Sequence, residues 1–175
     1  MKLGDICSKI GSGATPRGGK DSYKDYGIPI IRSQNVRDWA FSSSGLAFID
    51  DDQARALSSA VVEQGDVLLN ITGDSVARAC KAPAEFESAR VNQHVAIIRA
   101  NENANNSFLL AWLQANKSLL LKLASSGATR NALTKGMLEI LDVNLPPIDV
   151  QNKIAVVVDL IQAKIAANTK LNGYL

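Results

Sequence analysis

Beyond Pro146-Pro147 the chain runs from residue 148 to residue 172 without a glycine or a proline. Val150, Ile154, Val157, Ile161, Asn168, Leu171 and Leu175 recur there at three- and four-residue steps, the spacing of one face of an α-helix. At about 1.5 Å per residue such a helix reaches roughly 40 Å, too long to lie inside a compact domain built from the rest of the chain. The expectation is a mixed α/β globule over residues 1–147, then a helix over 148–175 that projects from it. A like helix or another protein would cover the apolar stripe, as in a coiled coil. Asn168, polar within the stripe, would fix register, with Lys164 and Lys170 flanking the seam.

The 175 residues are 46% hydrophobic and 21% charged, enough for one good core in an ordinary globular protein. Apolar runs such as IAVVVDLI are broken by charge and too short to span a bilayer, and Met1-Lys2 leads into no signal-peptide pattern. Cys7 and Cys80 form no C-x-x-C, which suggests reduced thiols, no metal site and a cytoplasmic protein. Net charge is only +2, so a heavily basic polyanion binder is not indicated. The distribution says more: up to Arg37 there are seven Lys or Arg against three Asp.

Along the chain, residues 1–10 read as a short edge strand or turn. Ile28 to Ile31 read as a strand, with Pro29 arguing for an edge. DDQARALSSAVV carries Ala54, Leu57 and Val61 at helical spacing behind acidic residues. Val67–Ile71 and the run after His94 read as buried strands. SFLLAWLQANKSLLLKLAS, from Ser107, reads as one amphipathic helix. A short helix near 133–140 and a terminal strand before Pro146 complete the pattern.

Catalytic chemistry finds little support. GSGATPRGGKDSYKDYG (11–27) is rich in glycine, yet a P-loop read from Gly13 puts Gly19 where Lys belongs. Read back from Gly19-Lys20, it puts Ala14 first and Asp21 at the hydroxyl position. His94 is the only histidine and cannot build a metal cluster alone. Gly73-Asp74-Ser75 resembles a serine-esterase motif, but the Asp-x-x-His pair that chemistry needs is missing from the tail. Asn144-Leu145-Pro146-Pro147-Ile148 lacks the aromatic ring that clamps a flipped base in adenine methyltransferases. No G-x-G-x-x-G opens a helix after a strand, so no dinucleotide or S-adenosylmethionine site is visible.

Three stretches, in order, resemble the specificity subunits of type I restriction–modification systems. They are LGDICSKIGSGATP (3–16), GDVLLNITGDSVARA (65–79) with VNQHVAIIRA (91–100), and SSGATRNALTKGMLEILDVNLPPIDVQNKIAVVVDLI (125–161). The resemblance covers nearly the whole chain and implies a DNA target-recognition domain followed by a spacer helix. It implies a non-catalytic role, directing methylation and restriction subunits to a bipartite site on double-stranded DNA. No cofactor is expected on this chain, since S-adenosylmethionine belongs to the methylation subunit. Relatives carry two such units and this chain carries one, so a second copy is expected to supply the partner helix, giving a homodimer.

With DNA as the implied partner, four clusters offer contacts. In the glycine-rich loop, Ser12, Thr15, Arg17 and Lys20 would meet phosphates. Arg32, Gln34, Asn35 and Arg37 offer the planar two-point groups that read guanine and adenine. Thr72, Asp74, Ser75 and Arg78 form a third cluster, and Thr129, Arg130 and Asn131 a fourth. Asn92, Gln93 and His94 read as structural. Two other readings remain open: an adaptor docking a partner through its helix without touching DNA, and a hydrolase using Ser75 with His94 as base.

Overall fold

The computed structural model describes residues 1–125 and 131–172, except the side chains of Lys20 and Lys170. Among the described residues two sheets lie against each other. The larger has the order β1-β7-β4-β5, from Cys7–Ser12, Val95–Ala100, Val67–Asn70 and Ala79–Lys81. The smaller has the order β3-β2-β6, from Ala47–Ile49, Ile28–Ile31 and Arg90–Val91. Every residue of β4 is buried, because both its faces are covered. Val67 and Leu69 point into a core shared with the helices, while Leu68, with Val95 and Ile97 of β7, packs toward the smaller sheet.

Helix α1 (Asp51–Ala56) begins where Asp50 Oδ1 accepts from Gln53 N at 2.9 Å and Gln53 Oε1 accepts from Asp50 N at 3.0 Å, a reciprocal cap. It is shorter than its apolar spacing suggests. The chain turns at Leu57, and Val61 bridges to Arg90 instead of extending the helix. The expected single helix from Ser107 is two, α2 (Asn106–Ala115) and α3 (Lys117–Ser125). At the break, Asn116 donates its side-chain amide to Trp112 O at 2.8 Å, a carbonyl its backbone N also reaches at 3.0 Å. Helix α4 (Lys135–Glu139) is capped by Thr134 Oγ1, which accepts from Met137 N.

Two strand expectations change. Pro29 lies in the central strand of the smaller sheet, not at an edge. It is tolerated because its partner Phe48 turns its carbonyl away, to Lys24 N, while β6 pairs only with Ile30 and Ile31. No terminal strand forms at residues 141–145. Instead Leu3 N donates to Leu141 O and Val143 N to Met1 O, so this segment pins the first residues of the chain.

Helix α5 (Ile148–Asn172) has 25 residues, roughly 37 Å at about 1.5 Å per residue. It does not simply leave the globule: its first turns lie along α2. The face applied to the domain is polar and small. Gln151, only 1% exposed, accepts from Asn105 N and donates to Asn103 O and Pro146 O, with Ala155 buried beyond it. One turn further, Asp159 accepts from Ser107 Oγ at 3.0 Å and from Lys81 Nζ at 3.1 Å. The apolar positions face outward, with Val150, Ile154, Val157 and Leu171 all exposed and Asn168 with them. Ile161 is half exposed beside an apolar cleft of about 510 Å³ formed with Asp38, Trp39 and Ala40. Exposure extends beyond the sequence stripe to Val156, Leu160 and Ile165. Leu175 lies outside the described residues.

Candidate nucleic-acid interface

At the ends of β4 and β7 an open groove of about 420 Å³ is lined by Ser33, Gln34, Thr72, Gly73, Asp74, Ser75, Arg78 and His94. Three distant segments build it. One is the tight turn after β2, the second the β4–β5 connection, and the third the residue that enters β7. The second wall is held in a tight hairpin: Gly73 adopts φ 74° and Ala77 φ 66°, Asn70 N donates to Arg78 O, and Ala77 N returns to Asn70 O.

The expected clusters divide on this surface. Thr72, Asp74, Ser75, Arg78 and Gln34 share the groove. Asn131 meets it through the backbone, its carbonyl accepting from Gly73 N at 3.0 Å, and Thr72 bridges to Ala132. Thr129 and Arg130 lie outside the described residues. In the glycine-rich loop Ser12 and Arg17 are exposed. Thr15 approaches the groove indirectly, donating its hydroxyl to Gln93 Oε1. Lys20 falls where no side chain is described. Arg37 is exposed, outside the groove lining.

Three members of the second cluster bond to the fold; Gln34 donates Nε2 to Gly45 O at 2.9 Å yet still lines the groove, while the other two do not. Asn35 is fully buried; its Oδ1 accepts from Arg32 N at 3.0 Å and its amide donates to Ser42 O and Ser44 O. No edge of that amide remains for a base, which corrects the expectation. Arg32 stacks its guanidinium 5.2 Å above the centre of the Tyr23 ring and donates to Gly45 O. That contact braces the turn at 43–46 and diverts the residue from the groove.

Gln93 and His94, expected to be structural, stand at the surface instead. Gln93 Nε2 lies 3.2 Å from His94 Nε2, and His94 Nδ1 lies 2.6 Å from Thr72 Oγ1. If Gln93 donates through its Nε2, the His94 proton sits on Nδ1 and goes to Thr72. A continuous chain then runs from Thr15 through Gln93 and His94 to Thr72. The legible signal was a polar triplet immediately before a buried strand, which must lie at a sheet end. Asn92 is structural as expected, buried and accepting from His94 N.

Ser75 and His94 do not form a nucleophile–base pair. Ser75 Oγ accepts from Asn70 Nδ2 at 3.1 Å, while the His94 ring is engaged by Thr72 and Gln93. Burial pushes the Cys7 and Cys80 thiols up to about 12, and neither lines the groove. Among the described residues no helix is long and apolar enough to cross a membrane.

Residues 1–173 match the family described as the type I restriction modification DNA specificity domain. The chain belongs to that family of DNA specificity domains. It is similar to a Methanocaldococcus jannaschii protein assigned as the MjaX type I restriction enzyme specificity subunit, 21% identical over 159 residues, spanning 88% of this chain and 37% of that one. Its fold is similar to the HsdS subunit of Thermoanaerobacter tengcongensis, with a TM-score of 0.70 at 22% identity over 98% of this chain and 39% of that one. It is also similar to the type I S subunit of M. genitalium, with a TM-score of 0.67 at 14% identity over 97% of this chain and 40% of that one. The chain thus spans about two fifths of the length of these relatives.

Proposed function

We propose that residues 1–147 form a target-recognition domain that reads one half of a bipartite site on double-stranded DNA through the groove between Gln34 and Arg78. The observation that carries this reading is the convergence of Gln34, Thr72, Ser75, Arg78 and His94, beside Asp74, from three separate segments on one open groove. Gln34 and Arg78 are of the types that make two-point contacts to adenine and guanine. Arg17, Arg37 and Ser12, exposed elsewhere on the domain, would serve as phosphate contacts. In this reading the chain is non-catalytic and acts in the cytoplasm, bringing methylation and restriction subunits to the site. The methylation subunit carries the S-adenosylmethionine.

Residues 148–175 would act as the spacer and dimerisation helix. Val150, Ile154, Val157 and Leu171 supply a stripe for a second copy, and Ile161 continues it. Two identical recognition domains related by a two-fold axis read inverted half-sites, so the target would be an interrupted palindrome.

The test is methylation of a randomised duplex library by the chain with its methylation subunits, sequenced at modified sites. Arg78→Ala is expected to relax preference at one position by about 1–3 kcal/mol. Arg17→Ala is expected to weaken binding across all sequences and lower the salt slope by about one. Unchanged site choice in Gln34→Ala and Arg78→Ala sinks the groove as the reading surface. Sedimentation as a monomer, or an asymmetric bipartite target, sinks the homodimer. Partner binding through the helix with no DNA retention by the assembled complex would favour the adaptor.

A further inference from the structure

Asn70 ends β4 with no accessible surface, in a strand whose other members are Val67, Leu68 and Leu69. Its side-chain amide nitrogen faces three acceptors: Ser33 O at 2.9 Å, Val36 O at 3.3 Å and Ser75 Oγ at 3.1 Å. Its Oδ1 is buried with no partner. An apolar side chain there would avoid desolvating that oxygen, so burial alone does not favour asparagine. What the amide does is join two segments. Ser33 and Val36 belong to the wall that carries Gln34, and Ser75 to the wall that carries Arg78.

We infer that Asn70 is a positioning residue, a buried clamp that fixes the separation and register of the two groove walls and so sets sequence discrimination. The inference rests on the groove being the DNA-reading surface. Two-point base contacts need donor and acceptor pairs held within about half an ångström. Phosphate contacts made by long exposed cations tolerate much looser placement. Losing the clamp should therefore reduce discrimination while sparing general DNA affinity, a split that a purely structural role would not produce.

Asn70→Leu keeps the branching and heavy-atom count of the side chain and deletes the clamp. Hydrogen exchange on the chain without DNA should show faster exchange at the Val36 and Val76 amides, each bonded within one wall, with the Leu68 and Ile97 amides unchanged. In selection from a randomised duplex pool, by the chain with its methylation subunits, enrichment of the wild-type consensus should fall about tenfold, the scale of one lost base contact. Retention of the unselected pool should stay within about twofold.

Wild-type enrichment in Asn70→Leu overturns the inference, even if the walls exchange faster. A parallel fall in enrichment and pool retention also overturns it, because Asn70 would then serve folding alone. If Asn70→Leu gives no cooperative melt, Asn70→Ala, which deletes the same amide without added bulk, decides by the same readouts. It should lower enrichment at unchanged pool retention; unchanged enrichment overturns the inference. A wild-type complex that enriches no sequence sinks the DNA-reading groove itself, and this inference with it.

Discussion

Arg99 and Asp66 meet in a two-point contact, Nε to Oδ1 at 2.7 Å and Nη2 to Oδ2 at 2.8 Å, with Asp66 fully buried. The pair ties the turn before β4 to the outer part of β7, and Arg99 also reaches Glu63 and the Val61 carbonyl. Hydrogen bonding to Asp66 holds the Arg99 guanidinium above its ordinary value, so it stays charged. Asp66 Oδ2 also accepts from Glu63 N at 2.8 Å, so the carboxylate has donors on both sides.

Arg99→Met strands that buried carboxylate. The expected loss is about 3–5 kcal/mol of unfolding free energy, as for a buried pair deprived of one partner. Arg99→Lys restores charge but not the planar fork and should recover only part of it. Urea denaturation of the two variants beside wild type checks both, and equal midpoints for all three would refute the assignment.

Gly13 is required by space. A Cβ there would fall 1.8 Å from the Val91 carbonyl oxygen and 2.9 Å from the Ala60 Cβ. Gly13→Ala must push the glycine-rich loop off β6, breaking the Gly13 N to Asn92 O bond of 3.2 Å, at about 1–3 kcal/mol or more. Gly11→Ala meets nothing within 4 Å and should cost under about 1 kcal/mol. Thermal melts of the two variants make the comparison.

Asn35→Ala should act on the fold and not on base preference. It leaves Arg32 N and the carbonyls of Ser42 and Ser44 without their partner, for an expected loss of about 1–3 kcal/mol. The DNA consensus of material that remains folded should match wild type. A changed base at one position would return Asn35 to the reading surface.

Acid should weaken the domain at two exposed carboxylates. Asp50 is held below its ordinary 3.8, first by the Gln53 amide and then by Lys24; Asp142 is held down by Lys2. Because the folded values are depressed, their stabilisation is fully present above the unfolded value. It is lost as pH falls through the folded ones. Asp50→Asn keeps a capping side chain but cannot titrate. Its urea midpoint should therefore fall less than that of wild type between about pH 5 and pH 3. Identical pH profiles would remove Asp50 from the acid transition.

Much of the architecture is legible because it is local. The buried run at 67–70 and the helical spacing after Pro147 each declare themselves within a few turns. Pro29 reads as an edge residue from its neighbours alone, but an edge is a property of the whole sheet: the short reach of β6 is what accommodates it, and that is set by residues about sixty positions away. The helical spacing holds on both sides of Asn116, but the backbone leaves the helix there, at φ −101° and ψ 19°. Composition offered Arg32, Gln34, Asn35 and Arg37 as equals. Only tertiary neighbours separate the buried Asn35 and the stacked Arg32 from Gln34 in the groove.

Helix α5 gives its own domain the side that grease would not choose. Gln151 and Asp159 seat it by directional bonds on either side of the buried Ala155, and such bonds resist rotation about the helix axis far more than sliding apolar contact would. The outward side chains are consequently displayed at one fixed azimuth, like the cut edge of a key. A partner that grips that edge displaces nothing the domain depends on, so docking outside and anchoring inside draw on separate surfaces. Torque applied to the helix from outside would be carried through Asp159 to Lys81 at the end of β5, and from there along the sheet into the hairpin that bears Arg78.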